Sequence, residues 1–213
     1  MRSAVNVARW LPVVIAVLGA RMVLAQGANA SPAAIARADS GRPPFTAADV
    51  RFLQGMIGHH AQAIVMAQWA PTHGAGNAVR RLAERIDVGQ RDEIAAMQRW
   101  LRDRKQEAPD PSHAMMGHTG PGMPMTMGDT LMPGMLTAEQ MKQLDAARGA
   151  EFDRLFLTFM IQHHQGAITM VRHLFGSTGA AQDTWVFRFA SDVETDQITE
   201  IDRMRSMLGL SRE

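Results

Sequence analysis

MIGHHAQAIVM, residues Met56 to Met66, recurs as MIQHHQGAITM, residues Met160 to Met170. Each copy sets a His-His pair three residues after a Met and closes on a second Met. Each is preceded by an Asp and a Phe at the same spacing, Asp49 and Phe52, then Asp153 and Phe156. A second match follows the first in each half. Ile86, Gln90, Glu93, Ile94, Met97 and Leu101 correspond at one constant offset to Val193, Gln197, Glu200, Ile201, Met204 and Leu208. The repeated unit is therefore a whole helical hairpin, and two such hairpins with one long crossover predict an all-α, four-helix bundle. Two copies are too few to stack as a solenoid.

Local signals place the elements. Thr46 is a suitable N-cap, and Asp49 in the first turn complements the helix dipole. That helix is expected to reach about Ala70, where Pro71 and the Gly74-Ala75-Gly76 stretch stop it. A second is expected from Asn77 to Arg104, a third from Thr137 to about Phe175, and a last from Gln182 to Leu208. Repeat one thus covers 46–104, repeat two 137–210, and the bundle 46–210. Between them, 108–136 is rich in Pro, Gly and Met and has neither helical nor strand period, which reads as a linker.

The chain has 213 residues, 46% of them hydrophobic, enough for a core in one domain or two small packed ones. A formal net charge of +1 offers no electrostatic argument for nucleic acid or an anionic membrane. Residues 1–30 read as a secretory signal. Arg2 and Arg9 precede an apolar run from Trp10 to Ala20, and small-residue exits allow cleavage after Ala25 or Ala30. The run is too short to span a bilayer and Arg21 closes it, so no stable anchor is expected after cleavage. A flexible spacer over 31–45 would follow, and the mature protein would be periplasmic or secreted. There is no Cys, but there are 17 Met and eight His. In an oxidising compartment thioether and imidazole bind soft metals without the risk of disulfide formation.

At about 100° per residue, Phe52, Met56, His59, Ala63 and Met66 share one stripe, with His60 on its flank. Phe156, Met160, His163, Ala167 and Met170 repeat the stripe, with His164 on its flank. The partner helices bring Gln90, Glu93, Gln197 and Glu200 into an apolar sector. A buried carboxylate is costly unless paired, hydrogen-bonded or metal-bound. Facing imidazoles, Glu93 and Glu200 would either orient a histidine by hydrogen bond or coordinate directly. The candidate metal ligands are His59, His60, His163 and His164, with Met56, Met66, Met160 and Met170 as soft neighbours. Glu93, Glu200, Gln90 and Gln197 would stand behind them. The bland alternative is a buried polar cluster that only sets helix register.

The crossover carries a second candidate set, His113, Met115, Met116, His118, Met123, Met125 and Met127, followed by Met132 and Met135. Thioether with imidazole favours Cu(I) over iron or manganese. The competing explanation is a low-complexity loop or a partner-binding patch. His73 and His173 have no counterpart in the other half and are weaker candidates.

These residues resemble the family known as domain of unknown function (DUF) family 305, which comprises secreted or periplasmic bacterial proteins. Its Phe-x-x-x-Met-Ile-x-His-His-x-x-Ala-Ile-x-Met pattern is met by Phe52 to Met66 and by Phe156 to Met170. A Gln-x-x-Glu-Ile-x-x-Met pattern is met by Gln90 to Met97 and by Gln197 to Met204. The resemblance covers about Thr46 to Leu208. It implies a ferritin-like helical fold, and it implies copper handling, since some members look like extracytoplasmic copper-tolerance proteins. The leading expectation is copper sequestration, or transfer to a copper-accepting partner protein, without catalysis. Two rivals stand beside it. One is a metal-dependent oxidoreductase, cuprous oxidase or dimetal, in the same core. The other is an interaction module without metal whose histidines are structural. No Glu-x-x-His pair of the di-iron type occurs, and no Tyr is present for radical chemistry.

Overall fold

The computed structural model describes residues 44–112 and 131–210. Among them the chain is all-α, with four long helices, one short helix and no strand. The expected signal segment, all of the spacer but its last two residues, and the loop candidates His113, Met115, Met116, His118, Met123, Met125 and Met127 lie outside the described residues. No helix among the described residues is long and apolar enough to cross a membrane.

Helix α1 spans Ala47–Trp69 and begins in a reciprocal cap. The Thr46 hydroxyl accepts the Asp49 N–H at 3.3 Å, and the Asp49 carboxylate accepts the Thr46 N–H at 2.7 Å. Helix α2, Asn77–Asp103, returns alongside it after a turn in which Gly74 takes φ +71°. Helix α4, Gly149–Phe175, and helix α5, Thr184–Met207, form the second hairpin. Asp183 caps α5 by accepting the Trp185 and Val186 N–H groups, and Arg104 at the end of α2 pairs with the same carboxylate at 2.6 Å.

One expectation fails here. Thr137 to Phe175 is not a single helix: α3, Ala138–Ala146, ends before α4 starts. Ala147 and Arg148 are extended, and Gly149 takes φ +59°, a left-handed conformation that costs glycine little. The break is held by His73 from the α1–α2 turn. Its carbonyl accepts the Gly149 N–H at 2.9 Å, and its Nε2 donates to the Asp145 carbonyl and carboxylate at 2.9 and 3.0 Å. Tertiary bonds replace ladder bonds that a continuous helix would have made. His73 is thereby accounted for as a brace.

The repeated Asp residues clasp the two hairpins together. Asp49, fully buried, accepts the Ala181 N–H at 2.7 Å, in the turn of the other hairpin, and Ala181 is held there at φ +55°. Asp153 accepts the Gly76 N–H at 3.1 Å, in the turn of the first hairpin. Each half therefore caps the turn of its twin, and α1 packs on α4 between the clasps.

The core forms two apolar clusters. One joins the C-terminal half of α1 to the N-terminal half of α4, with Met66, Phe152, Phe156 and Met160 fully buried. The other joins Phe52, Leu53 and Met56 of early α1 to Ala167, Val171 and Leu174 of late α4. Burying each of the larger side chains contributes about 1.5–3 kcal/mol. The two clusters exchange partners end for end, so α1 and α4 run antiparallel. The His-His pairs fall at the level where the clusters meet.

Candidate metal centre

All four repeated histidines are fully buried, as their place on the apolar stripes requires. The pairs are not equivalent within themselves. His60 Nε2 lies 2.6 Å from a Glu93 carboxylate oxygen, and His164 Nε2 lies 2.6 Å from the corresponding oxygen of Glu200. A carboxylate here only accepts, so each Nε2 carries the proton. Nδ1 of both rings finds no partner in the protein. Glu93 and Glu200 are each about one-quarter exposed, 25% and 26% at the side chain, so they link sealed rings to the solvent side.

His59 and His163 meet across the α1–α4 contact, their ring centroids 3.8 Å apart. His59 Nε2 donates to the Pro133 carbonyl at 3.0 Å and its Nδ1 is unpartnered. His163 has no partner at either nitrogen. Burial in the apolar interior, reinforced by the neighbouring His60 ring, pushes His59 down from 6.5 to about 3. Burial, with His59 and the other two rings beside it, also holds His163 well below its usual value. Both are neutral at pH 7, the form in which imidazole binds metals.

Pro133 reaches His59 because the end of the crossover is seated between the two halves. Gln62 grips Leu136 twice, accepting its N–H at 2.7 Å and donating to its carbonyl at 3.0 Å. On the opposite side Gly134, at φ +74°, lies against Gly166 with no room for a side chain. A Cβ on Gly166 would overlap the Pro133 carbonyl. The repeat has Gln62 where its twin has Gly166, and Gly58 where its twin has Gln162. Those exchanges make a seat for one crossover and only one.

The other expected residues divide. Met56, Met66 and Met160 are fully buried in the apolar clusters, and their packing alone accounts for that. Met170 is only partly buried, and its methyl lies over Gly55 together with the Met132 sulfur of the crossover. Gln90 and Gln197 are 4% and 3% exposed, as expected of their sector, but neither is hydrogen-bonded to a histidine. Both amide atoms of Gln90 and the Oε1 of Gln197 lack partners. Among the described residues no three His, Asp or Glu side chains converge closely enough to enclose an ion. The imidazoles stand instead as two carboxylate-oriented rings flanking one close, tilted pair, its ring planes 38° apart.

Unpartnered polar atoms this deep are costly, about 1–3 kcal/mol each. Five unpartnered ring nitrogens in one layer match the needs of a borderline or soft cation. Sequence reasoning missed the Pro133 carbonyl, because any residue can supply a backbone acceptor. Gly89 and Asp196 are counterparts at the constant offset between α2 and α5, and both line the cleft between those helices.

The family model described as "Domain of unknown function (DUF305)" matches residues 49–208. The fold is similar to a DUF305 protein from Streptomyces coelicolor inferred to be secreted, at 27% identity, over 78% of this chain and 96% of that one, with TM-score 0.61. It is similar to CopM in its Cu(II)-bound form, at 30% identity over 75% of this chain and 94% of that one, TM-score 0.56. CopM in a silver-bound form, at 25% identity over 76% and 95% of the two chains, gives a TM-score of 0.55. A curated relative, uncharacterized protein L153 of Acanthamoeba polyphaga mimivirus, is 37% identical over 57 residues, 27% of this chain. The match spans little more than a third of that protein, 38%.

Proposed function

The chain belongs to the DUF305 family, and from that premise we propose that it is a copper-binding protein that sequesters the ion or passes it on. The observation that carries this reading is the layer of sealed imidazoles with unpartnered nitrogens. His59, His60, His163 and His164 would hold the metal, with His60 and His164 offering Nδ1 while Glu93 and Glu200 fix their tautomers. CopM, similar in fold, is known in a Cu(II)-bound form and a silver-bound form. The Met-rich crossover, Met115 to Met127 with His113 and His118, would collect soft ions at lower affinity. Removal of residues 1–25 or 1–30 as a signal would deliver the protein to the periplasm or exterior, in keeping with the Streptomyces relative.

The test is elemental analysis of protein recovered from periplasm without chelator, followed by competition titration with Cu(I). At least one equivalent of copper is expected, bound tightly. The double replacement His59→Ala with His163→Ala should abolish tight binding. Copper bound equally well by that variant, or no copper in the parent, would refute the reading. Iron or manganese in its place would point to a dimetal enzyme.

A further inference from the structure

The four histidines have no exposed surface, so an ion must have a way in. The crossover side is closed, since Gly134 and Gly166 meet backbone to backbone there and Pro133 occupies His59. The opposite side is open. Between α2 and α5 lies a cleft of about 250 Å³, lined by Glu93, Asp196 and Glu200, with Gln90 and Gln197 in its wall. Arg85 and Arg203 also line it.

Three features of this cleft are unexplained by the fold. The first is the pair of glutamines, more than nine-tenths buried, of which Gln90 has no partner at either amide atom and Gln197 none at its Oε1. The second is Asp196. Burial, then the nearby carboxylates of Glu93, Glu200 and Asp192, raise its pKa, so its charge is held at a cost that a cation would relieve. The third is Gly89. It lies within α2, where glycine costs about 1 kcal/mol relative to alanine. It has neither a left-handed φ nor a close neighbour, and a Cβ there would meet nothing within 4 Å. Its counterpart in the other repeat is Asp196. A glycine required neither by conformation nor by packing leaves space, and here the space faces a carboxylate.

We propose that this cleft is the access route to the histidine layer. Asp196, Glu93 and Glu200 gather a hydrated copper ion, Gln90 and Gln197 replace part of its water shell, and Gly89 keeps the passage wide. Glu93 and Glu200 then complete the path, because each touches solvent at one end and a sealed imidazole at the other. The inference rests on the copper-binding reading and adds how the ion arrives.

Stopped-flow quenching of tryptophan emission by cupric chloride tests it on the full mature chain. Gly89→Leu fills open space and should preserve the helical circular dichroism signal. It is expected to slow association at least about tenfold, with the parent end point reached late. Asp196→Asn is expected to slow it about threefold at low ionic strength, with the difference vanishing in high salt. Parent-like rates in both variants would overturn the proposal, and so would loss of a bound equivalent at unchanged rate, which would make the cleft a resident site. If Gly89→Leu disturbs the fold, the salt dependence of Asp196→Asn still decides. Absence of copper binding in the parent is a different failure, because it removes the function itself before any variant is compared.

Discussion

His59 and His163 occupy the same position in two copies of one motif, yet the molecule treats them differently. His59 is tied to the Pro133 carbonyl, whereas His163 has two free nitrogens in a sealed interior. By contrast the flanking rings behave as twins, since His60–Glu93 and His164–Glu200 both measure 2.6 Å. Elements that belong to the repeats keep the pseudo-two-fold. The crossover, present once, breaks it at the centre. The lesson is that duplication built the carboxylate–histidine frame, and the single crossover then distinguished one ring of the central pair from the other.

The largest expected effect would sharpen this contrast. His163→Leu removes a ring with two unpartnered atoms and substitutes an apolar side chain of similar bulk. It should raise the stability of the metal-free protein by about 1–3 kcal/mol while weakening Cu(I) binding by about a hundredfold or more. His59→Leu should weaken copper binding too, but it orphans the Pro133 carbonyl and should lower stability instead. Thermal melts of the two metal-free variants, read beside Cu(I) competition titrations, check both signs. Equal shifts in the same direction would break the comparison.

Acid should act on the central pair next. The folded pKa of His59, about 3, lies below the ordinary 6.5, and that of His163 is also depressed. The unfolded chain therefore takes up protons more readily, and stability falls as pH drops from about 6.5 toward the folded values. Metal-free protein should lose on the order of a few kcal/mol between pH 7 and pH 4 from this pair. Each single His→Leu variant should flatten part of that slope in urea titrations across the range. An unchanged slope in both would show that these rings are not its source.

The smallest effects come from two glycines that resemble each other only in sequence. Gly166→Ala drives a Cβ into the Pro133 carbonyl and should cost about 1–3 kcal/mol as the crossover is pushed off its seat. Gly89→Ala meets open space in a helix and should gain about 0.5–1 kcal/mol. Denaturant midpoints of the pair give opposite signs if the crossover seat and the open cleft are as described.

Much of this architecture was legible before any coordinates. The 3.6-residue spacing of Phe52, Met56, His59 and Met66, repeated from Phe156, announced two helices with histidines turned inward, and the matching Gln and Glu behind them announced the facing helices. Period and repeat are local properties, so a sequence carries them openly. That Glu93 and Glu200 face imidazoles was legible in the same way, but which histidine each meets, His60 and His164, came from the packing. The break between α3 and α4 was not legible, because only Gly149 signals it and the bonds that hold it come from His73 in another hairpin. Nor was the exchange of caps, in which Asp49 serves the turn at Ala181 and Asp153 the turn at Gly76.

The amino-acid sequence by itself determined the duplicated all-α hairpins, the inward histidines and the carboxylates that face them. Only the tertiary structure decided that Pro133 would engage one central histidine and leave its twin unpartnered. Periodicity tells which face of a helix is buried. It carries no information about which distant backbone carbonyl will arrive to meet that face, since every residue has one and only packing selects among them.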